Sequence, residues 1–552
     1  MRGNEFMKHL IVIVTFSSNK KLYALQTPIE QLNSDFIEVH SQALAALKAW
    51  CHWLSHLHSL ALKDPTFEPQ CKDLTSRIMV AVSPVIKDDH QGSKNRLKLV
   101  HSAAHFLCTL TGTVRPPSIW KLKEFTELYS CLNHLKLEPD DHRLMVKGLS
   151  NVLMLPWPGI PDQRWDERQR HLAKFLRDLT ETFRSIRMVQ DFPTNKELQS
   201  QAKPLIIHTL RVIRDLADNV LNEVTQTKKL CHECSRDYID IALWLFPIYV
   251  KDNAMCEELF AFFHTVLDVL KSQMGADVIE ATIGTFINVF NKDQLTHIIV
   301  NEGSAGTRVV EKFLELLQFV VKESDISFRK FIDSTLSLCL DYIYPLVAEV
   351  RSGIECIELC LINIYYSTFQ RPTADIKAPL FTVLSNVLLY NWRHFFKSSV
   401  MRSLIGAPSP MPSTDQVQHK VHFMAILQAF GQSFMQPDIM VFKQNLAALE
   451  QLNEKWKLYH KPAFIENLIE HFLTVLLQVI LHKSHDLLKE EIILAIYHMA
   501  NVDFNAFFKQ FLPQFLANKM QDLDDNQREK LQTCFKEEIV SVSVLIHPFF
   551  LC

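Results

Sequence analysis

The sequence predicts an all-α protein built as an array of antiparallel helix pairs. Glycine supplies only 12 of 552 residues. Sheets and tight hairpins consume glycine, so this scarcity favours helices with short connections. Apolar residues recur every three or four positions, as in Phe423, Leu427, Phe430 and Phe434, which stacks them on one helical face. Outside the two termini there is no credible run of the period-two alternation that marks a half-buried strand. Helix pairs recur at roughly 40–50 residues, the range of HEAT and armadillo repeats. No long polar linker divides the chain, so the expectation is an α-solenoid superhelix of HEAT-type antiparallel helix pairs, not a string of bundles.

In order, the first helix is expected over Phe36–Leu62, with Ala43, Leu47, Trp50, Leu54 and Leu57 on one face. Asp64-Pro65 stops it, and Glu68–Ile86 and Leu97–Leu110 follow. Ser118 is expected to cap a helix carrying Trp120, Phe125, Leu128 and Leu132, and Asp140-Asp141 start the next. The cluster Pro156-Trp157-Pro158-Gly159-Ile160-Pro161 must be a loop. A long charged helix is predicted over Asp162–Val189, then helices over Lys196–Val224, Ser235–Tyr249, Cys256–Lys271, Asp277–Phe290 and Thr307–Lys322. Ser327–Tyr344, Gly353–Phe369 and Pro379–Phe396 continue the series up to a Pro/Ser-rich linker. Beyond it, Gln436-Pro437-Asp438 and Tyr459-His460-Lys461-Pro462 divide Lys420–Leu481 into three helices, with Pro437 placed at the first helical position of the second. Asp486–Met499, Asn505–Leu516 and Asn526–Phe535 end the series. The expected organisation is a divergent segment at 1–35, a repeat body at 36–538 with linkers near 156–161 and 406–414, and a divergent apolar tail at 539–552.

At 552 residues the chain exceeds the size of a single globular core. A net charge of −3 excludes a globally basic nucleic-acid binder. The 12 cysteines are scattered, mostly within apolar stripes, as at Cys51, Cys108, Cys131, Cys339, Cys356 and Cys360. That pattern reads as reduced thiols of a nuclear or cytosolic protein. The apolar runs Leu10–Phe16 and Ile539–Cys552 are both shorter than the ~20 residues of a membrane span, so no membrane partner is assigned.

The sequence carries no GxGxxG, GxxxxGK[ST], GxSxG, HExxH or EF-hand pattern. Neither an enzymatic activity, a cofactor nor a metal ligand set is therefore assigned. Cys231-His232-Glu233-Cys234 lacks a second ligand pair at zinc spacing and reads as a helix start with exposed thiols. The pairs His52/His56 and His101/His105 have metal-compatible spacing but no acidic third ligand nearby in sequence. Ser409-Pro410 suits a proline-directed kinase, although linkers of this composition are common.

The strongest binding candidate is the Asp162–Val189 helix, where Arg170, Lys174, Arg177 and Arg184 line one face. Such a row would meet phosphate or an acidic protein surface. The same helix offers Asp166–Arg170, Lys174–Asp178 and Arg177–Glu181 as i, i+4 pairs, which stabilise a solvated helix by themselves. Seven basic and five acidic residues over Asp162–Arg187 leave the local charge only slightly positive.

The segments AFGQSFMQPDIMVFKQNLAALEQLNEKWKLYHKPAF (Ala429–Phe464), LTGTVRPPSIWKLKEFTELY (Leu110–Tyr129) and GLSNVLMLPWPGIPDQRWDERQRHL (Gly148–Leu172) resemble the exportins of the karyopherin-β (importin-β) family. The resemblance extends over about 35–535 and rests on extended similarity, with no catalytic signature. It implies a HEAT superhelix whose inner helices wrap protein cargo, expected to be actin–profilin, together with Ran-GTP. It also implies outer grooves for nucleoporin Phe-Gly repeats, and shuttling between nucleus and cytoplasm. The family's Ran-binding repeats lie at the N-terminus of a considerably longer chain, and the quoted segments correspond to its C-terminal half.

Overall fold

The computed structural model describes residues 29–87, 94–323, 325–348, 374–396 and 417–519. Among these residues the regular structure is helical, apart from an isolated antiparallel bridge between Phe396 and Val417. In the N-terminal half, the helices of eight residues or more are α1 (Ile29–Ala49), α2 (Cys51–Lys63), α3 (Glu68–Lys87), α4 (Lys94–Thr109), α5 (Lys123–Cys131), α6 (Pro139–Met154), α7 (Trp165–Leu179), α8 (Lys196–Asp218), α9 (Thr225–Leu245) and α10 (Asn253–Met274). They continue as α11 (Ala276–Val289), α12 (Lys292–Asn301), α13 (Gly303–Lys322), α14 (Ala374–Tyr390), α15 (Lys420–Ser433), α16 (Ile439–Trp456), α17 (Ile469–Leu481), α18 (Lys489–Ala500) and α19 (Leu512–Lys519). The predicted helices at Gly353–Phe369 and Asn526–Phe535, the 406–414 linker with Ser409, Cys356, Cys360 and the 539–552 tail lie outside the described residues.

The chain divides into two compact units, Met1–Val278 and Ile279–Cys552. In the first, α1, α4, α6, α8 and α10 pack successively as one row. Helices α2, α3, α5, α7 and α9 lie behind it, with α2 on α3, α3 on α5 and α7 on α9, and Tyr129 of α5 against Phe175 of α7. The rows close tightly because small residues sit where backbones approach. A Cβ on Gly148 of α6 would stand only 3.2 Å from the Cα of Cys108. The second unit repeats the plan, with α13, α14, α16 and α18 in one row. The other row holds α12, a π-helical segment at Leu338–Ile343, α15 and α17. The stretch Lys420–Leu481 buries Phe423, Leu427, Phe430, Phe434, Phe442, Leu449, Phe472 and Leu476, as its spacing predicts. Each such side chain contributes roughly 1.5–3 kcal/mol of burial.

Several boundaries differ from expectation. The first predicted helix is two, parted at Trp50, and Asp162–Val189 breaks at Thr180. There the backbone leaves helical geometry (φ −121°, ψ 25°), and the Leu176 carbonyl accepts from both the Thr180 N–H, at 3.0 Å, and its hydroxyl, at 2.6 Å. Asn467 makes the same kind of bond to Ala463, at 2.9 Å, just before the break at Leu468. Ile465, placed by sequence on the buried stripe, is consequently exposed. Ser118 makes no cap, since Ile119–Lys121 is a separate 3-10 turn and the helix starts at Lys123. At α16, Asp438 is itself the N-cap, accepting from the backbone N–H of Met440 and Val441 at 3.0 and 3.1 Å, so Pro437 precedes the helix. Helix α12 was not anticipated. It starts at Asn291, whose side chain accepts from Gln294 N at 3.1 Å.

Candidate interaction surface

Helix α7 is positioned by the loop before it. The backbone turns through a left-handed residue, Arg164 (φ 50°), while Asp162 accepts from the Arg164 N–H at 3.1 Å. Asp166 and Glu167 then fill the first turn, where negative charge suits the positive end of the helix dipole. Leu172, Phe175 and Leu176 face inward. Phe175 stacks on Tyr129 at 4.3 Å, and Tyr129 donates its hydroxyl proton to the His171 carbonyl at 2.6 Å, which ties α5 to α7.

The outward side carries Arg170, Lys174 and Arg177, all exposed and in helical register. None of the three predicted i, i+4 pairs closes to an ion pair among the described residues. Instead Arg170 and Arg177 each turn Nε to their own helix, toward the carbonyls of Asp166 and Ala173 at 3.3 and 3.2 Å. Arg184 does not join this face. The break at Thr180 places it beside α9, where Nη2 donates to Asp237 at 2.9 Å. The structure therefore gathers three of the four predicted basic residues.

Sequence reasoning missed the fourth arginine that matters here. Arg168 lies on the buried side of α7 with 1% of its surface exposed. Its guanidinium stands 4.2 Å from the Trp157 ring and 4.6 Å from the Trp165 ring. Nη1 donates to the carbonyl and side-chain oxygens of Gln163 at 3.3 and 3.2 Å, and Nη2 to the carbonyls of Val152, at 3.3 Å, and Leu155. Gln163 in turn holds Trp157 N–H at 2.7 Å and donates to the Trp157 carbonyl at 2.8 Å. The Pro-Trp-Pro-Gly-Ile-Pro turn is thus clamped around an arginine, and burial lowers that arginine to about 10. The signal available in the sequence was its register with Leu172 and Phe175.

The row α1, α4, α6, α8, α10 is crossed by a polar ladder. Lys98 meets Glu38 at 2.7 Å, His101 meets Asp141 at 2.6 Å, Arg143 meets Asp215 at 2.8 Å, and Arg211 Nε meets Glu258 at 3.0 Å. Asp141 is the acidic neighbour that the sequence around His101/His105 does not offer; it arrives from the next repeat. Cys231 and Cys234 are not exposed thiols at a helix start. They lie within α9, buried, and burial pushes both up to about 12. Cys51, Cys71, Cys256 and Cys339 are buried as well. Among the described residues no helix is long and apolar enough to cross a membrane.

Two rows of packed helices with exposed charged faces define a helical-repeat protein. The family described as exportin-6, C-terminal TPR repeats, matches residues 388–545. Exportin-6-A of Xenopus laevis is 39% identical over 539 residues, covering 96% of this chain and 44% of its own length. Exportin-6 of Homo sapiens is 38% identical over 536 residues, with 96% and 45% covered. Exportin-6 of Dictyostelium discoideum is 24% identical over 550 residues, with 97% and 46% covered. The chain belongs to the exportin-6 family, corresponds to its C-terminal portion, and spans less than half the length of these relatives.

Proposed function

We propose that this chain is the portion of a nuclear export receptor that handles protein cargo, acting by reversible recognition without chemistry of its own. The observation that carries the reading is similarity to exportin-6 running through 96% of the chain. The solenoid, taken as 36–538, supplies the physical means. Each repeat contacts only its neighbours, so small adjustments at each junction let a large surface follow a partner. Actin–profilin is the proposed cargo, loaded together with Ran-GTP and carried past nucleoporin Phe-Gly repeats as the receptor shuttles between nucleus and cytoplasm. The face of Arg170, Lys174 and Arg177 is assigned to an acidic protein surface. Arg184 borders this patch from its pairing with Asp237.

The test is binding of actin–profilin to the 552-residue chain, with GTP-loaded Ran, with GDP-loaded Ran and alone. Export requires cargo affinity to rise about tenfold or more with the GTP form, about 1.4 kcal/mol of coupling. Cargo affinity unchanged by Ran-GTP leaves this chain a HEAT-repeat scaffold without Ran dependence, and no cargo binding under any of the three conditions overturns the cargo reading. Reversing the α7 face (R170E/K174E/R177E) is expected to slow association by about tenfold with little effect on stability, since exposed charges act mainly on encounter.

A further inference from the structure

The second unit brings three metal-ligating side chains together, with a fourth beside them. Asp333 comes from the short helix Ile332–Ser337, His394 from Trp392–Phe395, and His419 and His422 from the start of α15. Asp333 Oδ1 lies 3.3 Å from His394 Nε2, 3.4 Å from His419 Nδ1 and 3.9 Å from His422 Nδ1. The ligand atoms of Asp333, His394 and His419 all fall within 4.8 Å of one another. A tetrahedral zinc ion with bonds of 2.0–2.1 Å places its ligand atoms about 3.3–3.4 Å apart. His394 and His419 already stand at that separation from Asp333 Oδ1, while His422, 3.9 Å from the same oxygen and outside that group of three, must turn toward it to complete four-coordination.

The backbone holds this arrangement deliberately close. The bridge from Phe396 to Val417, with Gln418 N–H donating to the Phe395 carbonyl at 2.7 Å, clamps the chain on either side of His394 and His419. His419 sits at φ 48°, a left-handed conformation that a β-bearing side chain adopts only when its surroundings impose it. That residue is also the N-cap position of α15, which sets His419 and His422 on one face. The His394 and His419 rings stack 4.0 Å apart. His394 Nε2 is buried and makes no aligned hydrogen bond, although a carboxylate stands beside it. A single carboxylate oxygen offers too few lone pairs to satisfy three imidazole donors.

We propose that Asp333, His394, His419 and His422 form a site for one divalent transition-metal ion, zinc being the ion that three imidazoles and a carboxylate suit best. An ion there would tie three separated stretches of the second unit to one another, including the start of α15. The site is half open to solvent, so the ion exchanges with free metal. This inference is independent of the export reading, since it concerns ligands that no Ran or cargo contact requires.

The test uses the untagged 552-residue chain, stripped with chelator and titrated with zinc chloride in calorimetry and with cobalt chloride in visible spectroscopy. One equivalent of zinc is expected at a Kd of about 1 μM or tighter. Cobalt should give the intense d–d bands of a four-coordinate N/O site, bleached by zinc. H419N, which tolerates the left-handed backbone, and H422Q are each expected to weaken binding at least ~10-fold, and H52Q/H56Q to leave it unchanged. A wild-type chain that binds no zinc tighter than about 1 mM, or an H419N/H422Q chain that binds as the wild type does, overturns the proposal. Diethylpyrocarbonate mapping on the wild type needs no variant. Zinc should protect His394, His419 and His422 but not His52 or His56, and an unchanged modification pattern rejects the site.

Discussion

Replacing Arg168 by Met tests whether the clamp around the 156–161 turn stabilises the first unit or merely tolerates a buried charge. Two opposing quantities decide the sign. Burial lowers the Arg168 guanidinium to about 10, which corresponds to roughly 3 kcal/mol of desolvation that methionine would recover. Against it stand hydrogen bonds to four oxygens, belonging to Val152, Leu155 and Gln163. Bonds to a charged donor are worth about 1.5–3 kcal/mol each. Two tryptophan faces add about 0.5–1 kcal/mol apiece. The Leu155 carbonyl lies at the end of α6 and has no helical partner to fall back on. The bonds outweigh desolvation, and R168M is expected to destabilise the first unit by about 4 kcal/mol or more. R168K, which keeps the charge but loses the fork and the stacking, should fall between. Urea unfolding followed by tryptophan emission reads the total, and hydrogen exchange localises it to residues 152–168. An R168M chain as stable as the wild type, or more so, with unchanged protection there, refutes the reasoning.

Other expectations follow from the same geometry. Burial lowers His40, His58 and His142 to about 4, His142 also through His208. The unfolded chain gains a proton near pH 6.5 that the folded state refuses until about 4, so stability present above pH 6.5 falls through this window. The loss should be about 1–2 kcal/mol per histidine at pH 5, read from urea midpoints at pH 7 and 5; equal midpoints would contradict it. D438A should cost about 1 kcal/mol and loosen the first turn of α16 in hydrogen exchange, because the Met440 and Val441 amides lose their acceptor. G148V must push α6 from the backbone of Cys108 and should cost at least about 2 kcal/mol in the same urea assay.

The helices were legible because their signals are local. Phe423, Leu427, Phe430 and Phe434 stand on one turn after another, and the structure buries all four. Helix breaks were less legible, since apolar stripes run on through them. Phe175, Leu176 and Phe183 keep helical spacing across Thr180, where the backbone leaves helical geometry at φ −121° and ψ 25°. The cysteines misled for a related reason. A CxxC near a polar run resembles a helix start, but Thr225 begins α9 six residues before Cys231, and both thiols pack inward.

Functional groups in a stacked array escape sequence reading for a deeper reason. A solenoid places neighbours side by side that are a full repeat apart in the chain, so its chemistry is written between repeats and not within them. Asp141 reaches His101 from the next helix of its row, and Arg211 reaches Glu258 in the same way. Asp333, His394 and His419 converge from three stretches that no spacing motif connects. Arg170, Lys174 and Arg177 were found because one helix carries them all, whereas Arg184 was misplaced as soon as that helix broke. A row of side chains along one helix is therefore the least characteristic surface such a fold can offer. Groups assembled across repeat junctions are positioned by packing and hold their geometry only while the junctions do. Recognition by this chain should accordingly respond to whatever locks or loosens those junctions, partner and metal ion alike.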